Sequence, residues 1–374
     1  MKHYILGDVV DEISEREKNP SLSGYERFVG LKHYVSGDVE IKKYGTTENL
    51  NSSMKVFKSG DILVARRNVY LKRASVVYFD GLTSGDSIVL RAKNENMGRL
   101  LPFILNTSEF WDYADQHSDG TMSKRLSPKV LKAYEFDLPD DNELEALADL
   151  LWSLVDTKNA YEELLIKTDD LVKSQFIEMF ANEPKIDLGS IAKVSAGQSS
   201  PSDDEFSLNG TPFIKAGNLE GLKSGKIVEK ECNLVSDEIV KKKKLKMQSK
   251  GTILVAKSGM SCNSGHVYEL KEDAYVVSHL ACIKPNNGIP SNYIKWFLIV
   301  TGVQSLIKDR GYPSIKLRQF SEMKIAKASE EQMNNFDNLA RRSDKSKFEL
   351  QQAIESIDNL IKSILYSNLE EKKE

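Results

Sequence analysis

Short apolar runs broken by turn residues fill two stretches of the chain, and each stretch is followed by a long segment with apolar residues at steps of three and four. Residues 61–65, 75–79 and 87–90, then 252–256, 275–277 and 280–283, are rich in β-branched and aromatic side chains and predict strands. Helical spacing over 100–115 and 292–308 predicts helices beside them. After Pro139 and an acidic start suited to a helix N-terminus, no Gly or Pro occurs before Phe180. A seam runs through Leu151, Leu154, Lys158, Tyr161, Leu165, Thr168, Val172, Gln175 and Met179.

The seam returns 189 residues later as Ala340, Ser343, Lys347, Leu350, Ile354, Ile357, Ile361, Ile364 and Asn368, so Lys158 and Lys347 are matching polar interruptions. Such interruptions cost stability but fix register and partner choice. The globular stretches repeat too. Leu6-Gly7-Asp8 returns as Leu188-Gly189-Ser190, and Gly60-Asp61-Ile62-Leu63-Val64-Ala65 as Gly251-Thr252-Ile253-Leu254-Val255-Ala256. A repeat of roughly 185 to 190 residues is too long for a solenoid unit and predicts a whole domain with a helical arm. The expected fold is α+β, with a globular domain at 1–138, a spacer helix at 139–182, a second domain at 183–327 and a second spacer helix at 328–374. Arms of like polarity, each returning from its own domain, predict an antiparallel, pseudo-two-fold coiled coil, about 60 Å long for about 40 residues. Such a pair is a ruler between two domains.

Charge sharpens this division. The net value of -3 averages +1 and +7 over the two globular stretches with -8 and -3 over the two arms. Neutral-to-basic domains suit a DNA-facing surface and acidic arms a protein-facing or solvated one, although helices also simply favour Glu. The N-terminus shows no apolar signal core, and the longest apolar runs, such as 296–300, fall well below the ~20 residues of a membrane span. The expectation is a soluble, cytoplasmic chain with reduced cysteines at 232, 262 and 282 and no metal site.

No phosphate-binding loop, dinucleotide motif or amino-methyltransferase tetrapeptide occurs. Asp38, Glu40 and Lys42 resemble the tail of a nuclease metal site, but strand alternation explains them as well, and no catalytic residue is expected. The loop holding Arg66, Arg67, Asn68, Lys72 and Arg73 mixes guanidinium and amide groups, and its counterpart holds Lys257 and Ser258. Arg reads guanine, Asn reads adenine, and Lys or Ser holds phosphate. A second loop pair lies before each arm, with Thr121, Ser123, Lys124 and Arg125 after Gly120, and Ser314, Lys316 and Arg318 after Gly311. The two glycines suit either a close ligand approach or a simple turn. Lys215 joins the DNA-binding candidates, and the run 241–244 reads as a phosphate stripe or a solvated face.

The doubled order of strand entries at Gly60 and Gly251, loop glycines and arms, with 173–180 closing the first arm, resembles the specificity subunit of type I restriction-modification enzymes. The resemblance implies two target recognition domains reading the halves of a split, asymmetric double-stranded DNA site, with Arg66, Arg67, Thr121, Ser123, Lys124 and Arg125 contacting one half and Lys257, Ser258, Ser314, Lys316 and Arg318 the other. It implies that the helices dock two modification subunits that bind S-adenosylmethionine and methylate adenine. Two ATP- and Mg2+-dependent motor-nuclease subunits would join them for cleavage. This chain would itself bind no cofactor. The alternatives are a stand-alone nuclease, a subunit of a methyltransferase-only system, or a coiled-coil scaffold.

Overall fold

In the first half of the chain Ile62–Ala65 lies at the heart of an antiparallel sheet, in the order Val10–Ile13, Ser87–Ala92, Ile62–Ala65, Ala74–Val76. Its strands are apolar without alternation because both faces are covered. Ile62, Val64, Ile88 and Leu90 pack with Leu101, Phe103, Phe110 and Trp111. Leu63 and Val89 point the other way, toward Val29, Phe57 and Val77. The structure, a computed structural model, describes residues 1–120 and 123–369, with the backbone alone at 141 and 142. It divides into two units, Met1–Tyr161 with Gln352–Glu374, and Glu162–Gln351.

The first unit adds a ribbon of Lys2–Ile5 with Glu135–Leu138 and a five-stranded sheet with one parallel pair. The strand expected over 75–79 ends at Val76. The chain leaves the sheet there and enters the second one at Gly81–Thr83. The single helix expected over 100–115 is two, Glu95–Ile104 and Ser108–Gln116. Thr107 separates them, its side chain accepting from the Phe110 N–H at 3.3 Å as an N-cap.

The second unit repeats the plan. Its sheet runs Ala192–Ala196, Leu280–Pro285, Ile253–Ala256, Val267–Glu269, and its ribbon pairs Lys185–Asp187 with Lys324–Ala326. The third sheet has three strands here, again with one parallel pair. Helix Ser291–Thr301 covers the sheet and stops at Gly302, whose φ of 73° suits glycine.

Two helices of 40 residues, Asp141–Phe180 and Glu330–Leu369, carry the expected seams. In the first unit Leu144, Leu147, Leu151 and Val155 share a core with Leu365, while Lys158 meets Asp358 at 2.8 Å, so these helix portions run antiparallel. Trp152 donates to the Arg99 carbonyl at 2.9 Å and fixes this stretch to the domain. In the second unit Val172, Phe176 and Phe180 pack with Met333, Phe336 and Ala340, while Lys347 meets Asp169 at 2.8 Å, again antiparallel. Leu154, Tyr161, Ile354, Ile357, Ile361 and Ile364 in the first unit and Leu165 and Leu350 in the second are half-buried. Near the domain the buried stripe moves by one residue, onto Val155 and Leu365. A straight helix drifts from a 3.5-residue repeat, and here the domain core as well as the partner helix takes up that face.

Candidate nucleic-acid interface

The sheet strand Ile62–Ala65 delivers the 66–73 loop to the loop that precedes Leu126, and the two are stitched by backbone bonds. Leu126 N–H donates to the Arg66 carbonyl at 2.9 Å, and Asn68 N–H to the Lys124 carbonyl at 3.0 Å. Leu126 is fully buried and anchors the junction. Asn68 is left-handed at φ 54° and accepts from the Ser123 hydroxyl at 3.0 Å. Below them sits Asp86, whose Oδ1 accepts from Arg125 Nη2 at 3.1 Å and lies 3.4 Å from Arg67 Nε. One carboxylate thus spaces two exposed guanidinium groups. Arg66 lies half-buried beside them, and burial followed by the Arg125 charge pulls it below its ordinary pKa. Among the described residues its Nε has no hydrogen-bond partner.

The same junction recurs in the second unit. Ile315 N–H donates to the Lys257 carbonyl at 2.7 Å, and Gly259 N–H to the Pro313 carbonyl at 3.1 Å. Ser258 and Ser314 face each other across a bridge, and Ser258 Oγ lies 2.8 Å from His279 Nδ1. These bonds align Arg66 with Lys257, Arg67 with Ser258, Asn68 with Gly259, Arg125 with Ser314 and Leu126 with Ile315. The sequence alignment of Gly120 with Gly311 is therefore two residues out of step. Gly120 has φ 97°, whereas Gly311 is not left-handed, and the buried Leu126 and Ile315 set the true correspondence.

Lys124 reaches back to Asp115 at 2.5 Å. Arg73 is nearly buried, donating to the Leu31 and Arg67 carbonyls at 3.0 Å each, so it holds the loop rather than facing outward. Lys72, at φ 47°, lines a cavity of about 820 Å³ with Tyr134, Phe136 and Leu365. Lys316 and Arg318 belong to the start of the short helix Leu317–Ser321, where Arg318 pairs with Glu322 at 2.6 Å. Lys215 stands over the Phe206 ring at 4.4 Å, away from the paired loops in sequence. Thr121 lies outside the described residues.

Two features of the charge pattern have defined partners in the structure. Lys242 and Lys243 of the lysine run both bind Glu205, at 3.0 and 2.8 Å, and with Lys243 first they hold its carboxyl down to about 2. The nuclease-like residues belong to a junction with the long helix. Asp38 lies 3.8 Å from Lys158, and Lys42 donates to Asn159 at 2.5 Å. Burial raises the pKa of Glu40, with Asp156 and Asp38 adding to it. Among the described residues no group of three His, Cys, Asp or Glu side chains gathers as a metal site, and no helix is long and apolar enough to cross a membrane.

Asp86, His279, Met260 and Tyr312 also belong to these junctions, though none is named as a candidate from sequence. The first two are recognisable only as the residue directly before the strands Ser87–Ala92 and Leu280–Pro285. Met260 and Tyr312 are large apolar residues in loops otherwise read for charge.

Two repeated mixed helix-and-sheet units thus each combine a paired-loop junction with portions of two long helices. Residues 184–356 match the family model described as the type I restriction modification DNA specificity domain. The fold is shared by the type I restriction-modification system S subunit from M. genitalium, with 15% identity, a TM-score of 0.54, and coverage of 97% of this chain and 95% of that one. It is also shared by a chain from a structure concerned with complex assembly and conformational transition of the type I R-M system, at 17% identity and TM-score 0.54, covering 98% and 96%. No curated protein matches the chain. Residues 184–356 thus resemble that DNA specificity domain, and the whole chain shares the fold of these proteins.

Proposed function

We propose that this chain is a DNA specificity subunit that reads a bipartite, asymmetric double-stranded DNA site with two unlike surfaces, one in each unit, and that the paired long helices set the gap between the half-sites. The observation that carries this is the junction itself. Its backbone bonds recur in both units, while its outward side chains change from Arg67, Arg125 and Asp86 to Ser258, Ser314 and His279. A conserved frame with changed readers suits a site whose halves differ. Domain boundaries at 138, 182 and 327 accord with the ribbons that end at Leu138 and begin at Lys185, and with the strand ending at Ala326. The pairs Lys158–Asp358 and Lys347–Asp169 exchange under the same 189-residue offset, which supports a pseudo-two-fold coiled coil.

The chain itself would perform no catalysis and bind no cofactor. Two modification subunits carrying S-adenosylmethionine would methylate adenine, and two ATP- and Mg2+-dependent restriction subunits would join where cleavage occurs, all in the cytoplasm. Leu164, Ile166, Leu171, Ile177 and Phe348, exposed on the helices of the second unit, support a protein-facing role for the arms. Adenine-methylation maps of cells with and without the chain test the proposal. One bipartite motif should vanish with the chain, and an unchanged map alongside an intact modification partner would contradict it.

A further inference from the structure

The second junction differs from the first in more than charge. Tyr312 is 87% exposed and Met260 69% exposed, although both stand on anchored backbone. Gly311 N–H donates to Asp309 Oδ1 at 2.8 Å, and Pro313, directly after Tyr312, is buried. The bond from Gly259 N–H to the Pro313 carbonyl, at 3.1 Å, joins the residue before Met260 to the residue after Tyr312. Two large apolar side chains therefore leave one clamped point, with the proline ring restricting the backbone on which Tyr312 stands. Ordering them on a ligand costs little backbone entropy because the backbone is already fixed. Around them Ser258 and Ser314 are small and uncharged, whereas the first unit has Arg67 and Arg125 at those places.

We infer that Met260 and Tyr312 make apolar contact with the C5 methyl of a thymine in the half-site read by the second unit, an inference that rests on the DNA reading proposed above. In the major groove that methyl is the one apolar group on a base edge, and an apolar side chain is its natural complement. A guanidinium in the same place would select guanine instead. The second half-site is then read partly through methyl burial, and the first through charged donors spaced by Asp86.

The experiment uses the full subunit assembled with its modification partner and duplexes carrying its methylated motif. Each thymine of the second half-site is replaced in turn by deoxyuridine, which removes only the methyl group. At least one replacement should weaken binding about fourfold, the value of one buried methyl. The same replacements in the first half-site provide the internal comparison. In Met260→Ala/Tyr312→Ala the sensitivity to that methyl should disappear, while Tyr312→Phe keeps it. A half-site without thymine, no effect of any replacement, or an undiminished effect in the double variant would each overturn the inference while leaving sequence-specific binding intact. Failure of the unaltered complex to prefer its motif over unrelated DNA would overturn both this inference and the DNA reading.

Discussion

Lys158 places its ammonium 2.8 Å from the carboxylate of Asp358 and 3.8 Å from that of Asp38, so one half-buried cation ties both long helices to the domain in the first unit. Removing it takes away the ammonium that Asp38 and Asp358 share. Lys158→Ala should lower the unfolding free energy by about 1–3 kcal/mol, as for other partly buried pairs that lose one partner. Lys158→Arg should retain most of it. Urea unfolding with a double-mutant cycle against Asp358→Asn measures the coupling, and additive effects would deny the contact its role.

Asp344 in the second unit gives a pH-dependent counterpart. Burial alone would raise its pKa, but Lys295 and Lys347, each 3.0 Å away, bring it below the ordinary carboxyl value. A carboxyl depressed in the fold adds stability above its unfolded value of about 3.9, and that stability is lost as pH falls through the lower folded value. Asp344→Asn should therefore be destabilised by about 1–2 kcal/mol at pH 7. The difference should shrink below pH ~4. Paired denaturation curves at pH 7 and pH 3 check this, and a constant difference would show that the charge is irrelevant.

Asp86 spaces the guanidinium groups of Arg67 and Arg125 without needing to touch DNA itself. Asp86→Asn removes a negative charge from the junction, so binding to unrelated DNA should strengthen and become more salt-dependent. Held by a neutral amide oxygen in place of a carboxylate, the arginines should be fixed less firmly and read the first half-site less selectively, with the ratio of specific to non-specific affinity falling about tenfold. Asp86→Glu should recover part of it. Competition binding of the assembled complex gives the ratio, and an unchanged ratio with normal folding would remove Asp86 from recognition.

The helices were legible because their information is local: steps of three and four, acidic starts and the absence of Gly and Pro appear in any window of the sequence. The offset relating Lys158 to Lys347 survives for the same reason, since a buried ammonium demands an acid at a fixed place on the facing helix. The central strands at 61–65 and 252–256 were equally plain, being covered on both faces. The junctions were not. The pairing of Arg66 with Leu126 joins residues 60 apart through backbone atoms that carry no side-chain signature. Glycine identity drew Gly120 onto Gly311, whereas burial of Leu126 and Ile315 governs the true register. Asp86 and His279 share a backbone position but no chemistry, so neither marks the other in sequence.

The ruler is tested most directly by length. Four residues inserted before Lys158 in helical register add one turn, about 6 Å, to the first spacer. At about 3.4 Å per base pair this corresponds to roughly one or two base pairs. Methylation mapping of cells carrying the lengthened subunit should then return both half-sites unaltered with a longer gap between them. A gap that stays the same while methylation persists, or half-sites that change their sequence, would contradict two separate readers held apart by paired helices.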